Sequence, residues 1–381
     1  MHAVADAVVA TSVAHLWLSD FRCFDAVDLE LTPGLTVLYG ANGQGKTSLL
    51  EAVGWVARTR SFRRVADAAL VKASATHAIV RAEVRTAERE QLFEAEVHAV
   101  GRNRIFCNRQ AVTRARDLYG LLRVTVFAPD DLALVKDGPA ARRDYLDELL
   151  AMLSPRYDAA RTDFERVLKQ RNALLRGGVR DDEARSTLDV FDEQLVHAAT
   201  ELIRGRLRLT ERLAPAIGAS YAVLATESSP IETVYETEWS AAPLVSEDTD
   251  AIEQGLRDAI ASKRRAEIDR GVTLVGPHRD EWRLQLGGLD ARTQASQGEQ
   301  RTLALALRLA GHGVVSELTG ATPVLLLDDV FSELDHDRAT ALVRNLPPGQ
   351  TLLTTAGTLP EGVHPERRIR VHAGRIEAAD A

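Results

Sequence analysis

The sequence predicts an α/β fold in which a parallel sheet carries a phosphate-binding loop, with an antiparallel β subdomain and an inserted helical hairpin. The first observation is a glycine-rich octapeptide at 40–47, which lies between a strand-like apolar run and a helix-forming run. The second is a continuous apolar run at 323–327 that ends in two carboxylates, as is typical of a strand buried on both faces of a parallel sheet. The third is a change from polar–apolar alternation at 78–112 to helical spacing between about 139 and 270.

Composition limits the possible functions before any motif is considered. The chain has 381 residues, of which 45% are hydrophobic, and a formal net charge of −8, so a nucleic-acid site has to be a local basic patch. The two cysteines, Cys23 and Cys107, are far apart, which favours a reducing compartment and argues against a zinc site. No apolar run reaches the roughly 18 residues that cross a bilayer, and residues 1–12 do not resemble a signal peptide. We expect a cytoplasmic protein with no membrane partner, whose residues 1–12 form a mobile extension.

The octapeptide matches the P-loop pattern G-x-x-x-x-G-K-[ST] without deviation. Its residues are Gly40, Ala41, Asn42, Gly43, Gln44, Gly45, Lys46 and Thr47. The glycines allow backbone N–H groups to converge on phosphate oxygens, and the helix that follows adds partial positive charge. We expect Lys46 to reach the β- and γ-phosphates of a nucleotide and Thr47 to ligate Mg²⁺. The alternative is a glycine-rich turn that binds nothing.

The elements around the P-loop follow in order. A strand begins at 15–18 and a second alternates at 28–31, whereas 79–84, 92–97 and 104–107 predict an antiparallel meander of half-exposed strands. Another strand is predicted at 124–127. Four arginines follow the P-loop helix, and they form either a solvated helix end or phosphate contacts: Arg58, Arg60, Arg63 and Arg64.

The middle of the chain predicts a helical hairpin. Ser154 and Pro155 have the residue types of a helix N-cap and first turn, and Gly177-Gly178 interrupts the apolar spacing. Two antiparallel helices would bury their apolar faces against each other. Its basic residues are solvated if taken singly, but as a set they are the best candidate for a DNA-facing surface: Lys169, Arg171, Arg176, Arg180, Arg204, Arg206 and Arg208. A later basic group comprises Lys263, Arg264, Arg265 and Arg270.

The C-terminal third contains the second half of the predicted nucleotide site. Ser296 and Glu299 have the spacing of a capping box, but Ser296 and Gly298 at the head of an apolar helix also resemble the ABC signature. The apolar strand ending in Asp328 and Asp329 is a Walker B motif. We expect Asp328 to hold Mg²⁺ and Asp329 to polarise the attacking water. The stretch 332–335 then matches a D-loop.

Together these motifs resemble the bacterial RecF family of SMC-like ABC ATPases, over nearly all of the chain from about residue 13. The stretches that carry the resemblance are 21–22, 40–47, 60–63, 138–143, 169–172, 276–280 and 327–335. The resemblance implies an ABC-type P-loop ATPase head formed by 13–128 and 271–381, with the β meander at 78–112, and a helical lid domain at 129–270. It also implies that Arg22 approaches the nucleotide phosphates.

The function implied by the resemblance is ATP-dependent binding of double-stranded DNA, with preference for double-strand/single-strand junctions at gaps. In ABC-type ATPases the signature helix completes the site of a second subunit, so an ATP-dependent head-to-head homodimer is implied, with Ser296 and Gly298 contributed in trans. Slow hydrolysis of ATP would release DNA, and the partners RecO and RecR would assist recombinase loading. The protein would then be associated with the nucleoid.

Two positions depart from the common pattern of this class. Ala295 replaces the leucine that usually precedes the signature serine. A threonine, Thr355, stands where ABC ATPases commonly place a switch histidine, so the γ-phosphate sensor stays open, with Thr355 as one candidate. Asp329, where ABC proteins usually have a glutamate, is similar to the normal pattern of this family and is not a departure; its shorter reach is one hypothesis for slow turnover.

Three other functions compete with this prediction. A transport ATPase is disfavoured by the basic helical insertion. A chromosome-organising SMC protein or its nuclease-associated relative needs long heptad arms or a Cys-x-x-Cys zinc hook, and the sequence has a short hairpin and no such motif. A clamp that binds ATP without hydrolysing it is disfavoured by the intact Asp328–Asp329 pair.

Overall fold

A computed structural model describes residues 9–86, 89–112, 118, 120–225, 229–240, 244 and 247–378. The helices are α1 Lys46–Arg58, α2 Ala133–Lys136, α3 Pro139–Leu153, α4 Pro155–Gly177, α5 Asp182–Leu224, α6 Thr249–Arg270, α7 Ala291–Gln294, α8 Gln297–Thr319 and α9 His336–Arg344. The strands of the first half are β1 Val9–Ala10, β2 Ser12–Phe21, β3 Phe24–Glu30, β4 Leu35–Tyr39, β5 His77–Arg85, β6 Glu90–His98, β7 Arg104–Cys107, β8 Gln110–Ala111 and β9 Val124–Phe127. Those of the second half are β10 Ile231–Glu236, β11 Glu281–Leu286, β12 Leu289–Asp290, β13 Ala321–Thr322, β14 Val324–Asp328, β15 Thr351–Thr355, β16 Arg367–His372 and β17 Arg375–Ala378.

The chain divides into two compact units. The first comprises Met1–Asp131, Ser220–Glu227 and Leu305–Ala381, and the second comprises Leu132–Ala219 and Ser228–Ala304. The first unit contains the P-loop and the Walker B strand. The second contains α3, α4, α6 and most of α5, together with β10, β11, β12 and α7. The domain boundaries at 129 and 270 stay a prediction.

The first unit contains the predicted parallel sheet. Its strand order is β17-β16-β4-β15-β14-β9, and β4, β15, β14 and β9 run parallel. All five residues of β14 are buried, because its apolar side chains are covered on both faces. The parallel ladders pair Tyr39 with Thr355 and Asp328 with Thr354. The P-loop and the two Walker B carboxylates therefore emerge at the same edge of the sheet, with β15 between them.

A six-stranded antiparallel sheet packs with the parallel sheet around one core. Its order is β3-β2-β5-β6-β7-β8, which confirms the meander predicted over 78–112. Alternation puts Ala78, Val80, Ala82 and Val84 of β5 inside. The P-loop helix α1 contributes Trp55, which is fully buried and donates its indole N–H to Asp67 at 3.2 Å. Residues of both sheets and α1 belong to a single hydrophobic cluster.

The N-terminal extension was predicted over residues 1–12. Residues 1–8 of it lie outside the described residues. Val9–Ala10 pairs in parallel with Ala321–Thr322, and Ser12 already belongs to β2. The end of the predicted extension is therefore paired backbone.

The second unit confirms the helical hairpin. Ser154 caps α4 by accepting a hydrogen bond from the Arg156 N–H at 3.3 Å, and α4 ends at Gly178, whose φ of 87° suits a glycine. Side chains connect α4 to α5 at Arg156–Glu201 and Arg171–Asp192. Because the residue numbers rise along α4 as they fall along α5, the two helices are antiparallel.

Two residues of the predicted DNA-facing set are instead buried, and this part of the prediction is wrong. Arg171 is fully buried, and its guanidinium donates to Asp192, Glu267 and Thr273 at 2.6–2.9 Å. Arg206 is also buried and forms a bidentate pair with Asp147 at 2.8 and 2.9 Å. Both guanidinium groups satisfy buried carboxylates inside the second unit, so they stabilise the packing of its helices.

Candidate nucleotide site

The P-loop adopts the curled backbone that its glycines predict. Gly43 and Gly45 have φ values of 78° and 110°, which favour glycine. A side chain at Gly45 would also be blocked, because a Cβ there would lie 2.7 Å from Sγ of Cys23. The Gly45 carbonyl accepts the N–H of Ser48 at 3.0 Å, so α1 begins directly after the loop. The N–H groups at this helix end are oriented as donors for an anion.

Lys46 is held at the loop by the carbonyl groups of Gly40 and Ala41, to which its Nζ donates at 2.7 and 2.8 Å. Burial lowers the pKa of Lys46, whereas Asp329 and Asp328 oppose this shift. The lysine donates two of its three N–H groups to the loop, so one remains for a ligand. This geometry suits the predicted contact with phosphate.

A turn that the sequence analysis missed supports the outer side of the P-loop. The side chain of Gln44 accepts the Ala373 N–H at 2.7 Å, and its carbonyl accepts the Gly374 N–H at 3.3 Å. Gly374 has a φ of 69°, and a Cβ there would lie 2.5 Å from the carbonyl oxygen of Cys23. The β16–β17 turn therefore fixes the position of Gln44. The Ala-Gly pair between two strand-like runs was the only signal for it.

Thr47 and Asp328, the two predicted magnesium ligands, lie within hydrogen-bond distance of each other. The Thr47 hydroxyl donates to Oδ1 of Asp328 at 2.8 Å, although the two residues are 281 positions apart. Burial raises the pKa of Asp328, and hydrogen bonds from Thr354 and Thr47 act in the opposite direction. A hydroxyl beside a carboxylate at a P-loop provides oxygen ligands of the kind that Mg²⁺ takes.

Thr354 connects the Asp328 carboxylate to the backbone of Asp329. Its hydroxyl donates to Oδ1 of Asp328 at 2.8 Å and accepts the Asp329 N–H at 2.9 Å. Asp329 itself has a φ of 48°, in the left-handed region that non-glycine residues seldom adopt. Thr354 therefore holds Asp329 in the turn that brings its side chain to the cleft.

Thr355, the one candidate named for the γ-phosphate sensor, contacts the backbone beyond β15 instead of the cleft. Its hydroxyl bonds to the backbone of Gly357, accepting the N–H at 3.1 Å, and it is buried. Thr354 lines the cleft, whereas Thr355 does not. Because side chains of a strand alternate between its faces, only one of two neighbouring threonines can point to the site, and it is the earlier one.

Arginines complete the cationic side of the cleft. Arg22 lines it and pairs with the carboxylate of Glu51 at 2.8 Å through both Nε and Nη2, and its approach to phosphates stays a prediction. Of the four arginines that follow the P-loop helix, Arg63 lines the cleft, whereas Arg58 donates to the Val124 carbonyl at 2.9 Å. Arg60 and Arg64 are exposed.

The cleft has a volume of about 550 Å³, within the usual range of about 300–1,000 Å³ for small-ligand sites. Three cationic side chains, the P-loop backbone and several hydroxyl groups surround it. Its lining residues are Arg22, Cys23, Asn42, Gly43, Gly45, Lys46, Thr47, Ser48, Arg63, Ala69, Val71, Asp329 and Thr354. This donor-rich lining fits a polyphosphate, and Thr47 with Asp328 fits a magnesium ion.

The signature residues belong to the second unit. Ser296 and Glu299 form the predicted capping box, because the Ser296 N–H donates to Glu299 at 2.8 Å and the Glu299 N–H donates to the Ser296 hydroxyl at 3.3 Å. Ser296 is exposed, and Gly298 is half-buried. The side chain of Gln300 donates to the Ala291 and Arg292 carbonyls at 3.1 and 3.0 Å, which connects the start of α8 to α7. The serine and glycine are thus presented at the surface of their unit by a fixed helix start.

The D-loop leads into α9. Asp335 caps this helix by accepting the Arg338 N–H at 2.9 Å, and the Ser332 hydroxyl donates to the Asp329 carbonyl at 2.8 Å. The D-loop is therefore bonded to the turn at Asp329 in the same unit. None of the helices within the described ranges combines the length and the apolar character needed to cross a bilayer.

Comparison with known proteins agrees with this geometry. The family model described as the RecF/RecN/SMC N terminal domain matches residues 12–352. The chain is 45% identical to the DNA replication and repair protein RecF of Streptomyces avermitilis, over 96% of this chain and 99% of that protein. It is 41% identical to the protein of the same name from Acidothermus cellulolyticus, over 97% and 100%.

The fold of the chain is similar to that of two solved structures. The structure described as the recombination mediator protein RecF-ATP in the RecFOR pathway has a TM-score of 0.90 and 28% identity, with 100% of both chains covered. The Smc head domain from Pyrococcus furiosus has a TM-score of 0.58 at 15% identity, over 97% of this chain and 96% of that one, which shows a shared fold. The α/β fold described above, with its mixed sheet, antiparallel sheet and helical insertion, matches these structures, and the chain belongs to the RecF family.

Proposed function

We propose that the chain is an ATP-dependent DNA-binding protein of recombinational gap repair and replication restart. The observation that carries the proposal is the bond between Thr47 of the P-loop and Asp328 of the Walker B strand, 281 residues apart. This contact brings the P-loop and the Walker B strand together at one edge of the sheet. It therefore favours a nucleotide site over the alternative of a glycine-rich turn that binds nothing. Membership of the RecF family and the described RecF-ATP structure support ATP as the ligand.

The residues of the cleft divide the chemistry between them. Lys46 and the P-loop N–H groups hold the phosphates, while Thr47 and Asp328 hold Mg²⁺. Bound Mg²⁺–ATP supplies the transferable γ-phosphoryl group and the cation that neutralises its oxygens. Asp329 accepts a proton from the attacking water, a role worth about 10²- to 10⁴-fold in rate. The chain is then a weak, DNA-stimulated ATPase whose slow hydrolysis releases DNA.

Completion of the site requires a second copy. The exposed Ser296 hydroxyl and the backbone at Gly298 lie at the start of a long helix, where the helix dipole favours an anion. Each copy contributes this corner to the nucleotide of the other copy in a head-to-head homodimer. Dimerisation then depends on ATP, because the triphosphate is bound by both chains.

The DNA surface is assigned to exposed cations of the second unit. They are Lys169, Arg176, Arg180, Lys263, Arg265 and Arg270. Arg176 lies at the end of α6, since a Cβ at Gly271 would be 3.4 Å from its Cγ, so the exposed charges at the ends of α4 and α6 are neighbours. A local cluster of this kind is what a chain of net charge −8 needs to bind phosphates.

The pathway assignment is that of the relatives. The described RecF structures belong to the RecFOR pathway, which supports RecO and RecR as partners and recombinase loading as the outcome. Double-stranded DNA and double-strand/single-strand junctions at gaps are the proposed nucleic-acid ligands.

A filter-binding assay with gapped and blunt duplex DNA, with and without ATP, tests the proposal. We expect ATP to strengthen binding of gapped DNA in the wild-type chain and to have no effect in Lys46→Ala. Affinity should fall with salt at a log–log slope near −0.9 for each phosphate contacted. ATP binding without DNA binding would favour a transport-type ATPase, and DNA binding without hydrolysis would favour a clamp.

A further inference from the structure

A buried carboxylate on α1 contacts the arginine side of the cleft. Glu51 follows Thr47 by one helical turn, and none of its side chain is exposed to solvent. A carboxylate without solvent needs cationic or hydrogen-bonding partners. Its partners come from two separate segments, around residues 22 and 61.

The first partner is Arg22, whose guanidinium makes three hydrogen bonds within the protein. Its Nε and Nη2 each donate to Glu51 at 2.8 Å, and its Nη1 donates to the Ala69 carbonyl at 2.7 Å. Its backbone N–H donates to the Leu70 carbonyl at 2.7 Å, with φ at 55°. A guanidinium has five N–H groups, so about two remain for a ligand in the cleft.

The second partner is Ser61, whose hydroxyl donates to Oε1 of Glu51 and accepts the Arg63 N–H at 3.1 Å. Ser61 is buried, whereas Arg63 is exposed and lines the cleft. The Glu51 carboxylate therefore helps to fix the backbone position of Arg63 through the Ser61 hydroxyl. Glu51 is therefore bonded directly to Arg22 and, through Ser61, to the backbone of Arg63.

We propose that Glu51 is a positioning residue that sets Arg22 and Arg63 for the triphosphate. The proposal rests on the nucleotide function proposed above, and it assigns to Glu51 no contact with the ligand itself. Glu51→Gln keeps the shape of the side chain but replaces one acceptor oxygen with an NH₂ group, which cannot accept from Arg22 or Ser61. The substitution removes the bidentate, charge-assisted pair between Arg22 and Glu51, which is stronger than neutral hydrogen bonds. We therefore expect Arg22 and Ser61 to lose their fixed positions.

The experiment measures the affinity for ATP and, by competition, for inorganic tripolyphosphate, at a temperature where circular dichroism shows each variant folded. Glu51→Gln should bind both ligands about tenfold more weakly than the wild-type chain. Glu94→Gln is the matched control, because it makes the same substitution in a partly exposed Arg81–Glu94 ion pair at 2.9 Å. It should bind as the wild type does.

A double-mutant cycle separates positioning from simple destabilisation. Arg63→Ala should lower tripolyphosphate affinity in the wild-type background but much less in the Glu51→Gln background, because its guanidinium is already displaced. A purely structural role predicts equal losses in both backgrounds. Arg22→Met/Glu51→Leu covers the case in which Glu51→Gln does not fold, since an apolar pair of similar size often restores stability. Because this double variant also lacks the Arg22 charge, its readout is Arg63→Ala made in it, which should lower tripolyphosphate affinity much less than in the wild-type chain.

The outcomes are distinct. If the wild-type chain binds neither ATP nor tripolyphosphate, the proposed function fails. If the wild type binds and a folded Glu51→Gln binds within twofold of it, the role of Glu51 is overturned while the function stands. Equal losses from Arg63→Ala in the wild-type chain and in Glu51→Gln, or in Arg22→Met/Glu51→Leu, would likewise overturn it.

Discussion

Replacing Thr354 with valine tests whether this hydroxyl organises the Walker B end. Valine keeps the shape of the side chain, so packing is preserved, but two bonds are lost: the one to Asp328 at 2.8 Å and the one from the Asp329 N–H at 2.9 Å. Thr354 is 1% exposed and Asp328 is 6% exposed, so water does not replace the hydroxyl. A bond to a charged group and an unsatisfied buried N–H together cost about 2–4 kcal/mol of unfolding free energy.

The same change alters magnesium binding in a direction that follows from the pKa of Asp328. Burial raises this pKa above its ordinary value of 3.8, so the folded chain holds the proton more tightly than the unfolded chain. Stability of the protein without ligand therefore falls as pH rises from 3.8 through the folded pKa, and magnesium affinity rises over the same window. Loss of the Thr354 hydrogen bond raises the pKa further, so the magnesium-binding curve of Thr354→Val moves to higher pH.

Urea unfolding and titrations with magnesium and a fluorescent ATP analogue across this pH range measure both effects. Thr355→Val is the matched control, because its hydroxyl bonds only to the exposed backbone of Gly357, where water can replace it. We expect the control to lose about 1 kcal/mol or less and to keep the wild-type magnesium curve. Indistinguishable behaviour of the two variants would refute the reasoning.

Three further predictions concern the second unit and turnover. Arg171→Met should lower the free energy of unfolding in urea by about 3–5 kcal/mol, because it leaves the fully buried Glu267 carboxylate without its arginine partner. The control Arg180→Ala, at an exposed arginine, should leave this free energy unchanged. Equal free energies of unfolding for the two variants would contradict the structural role of Arg171. Burial raises the pKa of Asp280 to about 7, so its contribution to stability is present below 3.8 and is lost as pH rises through about 7. Asp280→Asn should flatten the stability–pH curve over that range, and an unchanged curve would argue against the shift. Asp329→Glu should raise the single-turnover hydrolysis rate if the shorter side chain limits it, and an unchanged or lower rate would count against that explanation.

The parts of the nucleotide site that could be predicted are the two motifs formed by residues adjacent in the sequence, the P-loop and the Walker B strand. The P-loop glycines, Lys46 and Thr47 lie within eight positions, and β14 has an apolar pattern that only a strand buried on both faces requires. Their meeting was expected because the two motifs occur in the order and context of an ABC-type nucleotide site. The same locality explains the capping box at Ser296 and the cap at Ser154.

The parts that could not be predicted depend on partners far away in the sequence. Arg171 lies in a helix rich in basic residues, which predicts an exposed side chain. Its carboxylate partner Glu267 is 96 positions later in the sequence, so the sequence alone did not reveal its burial. Glu51 has the residue type of a solvated helix position, and only the fold brings Arg22 and Ser61 to it. The choice between Thr354 and Thr355 needed the register of β15, because a shift of one residue reverses the face of every side chain.

The central claim is that two copies close over two nucleotides, each contributing the Ser296 corner to the other. Sedimentation velocity of the wild-type chain with saturating ATP, magnesium and gapped DNA tests it most directly, beside Lys46→Ala and Ser296→Arg. We expect a dimer for the wild type, no nucleotide binding and no dimer for Lys46→Ala, and ATP binding without a dimer for Ser296→Arg. A wild-type chain that remains monomeric under these conditions, or a Ser296→Arg variant that still dimerises with ATP, would contradict the composite site.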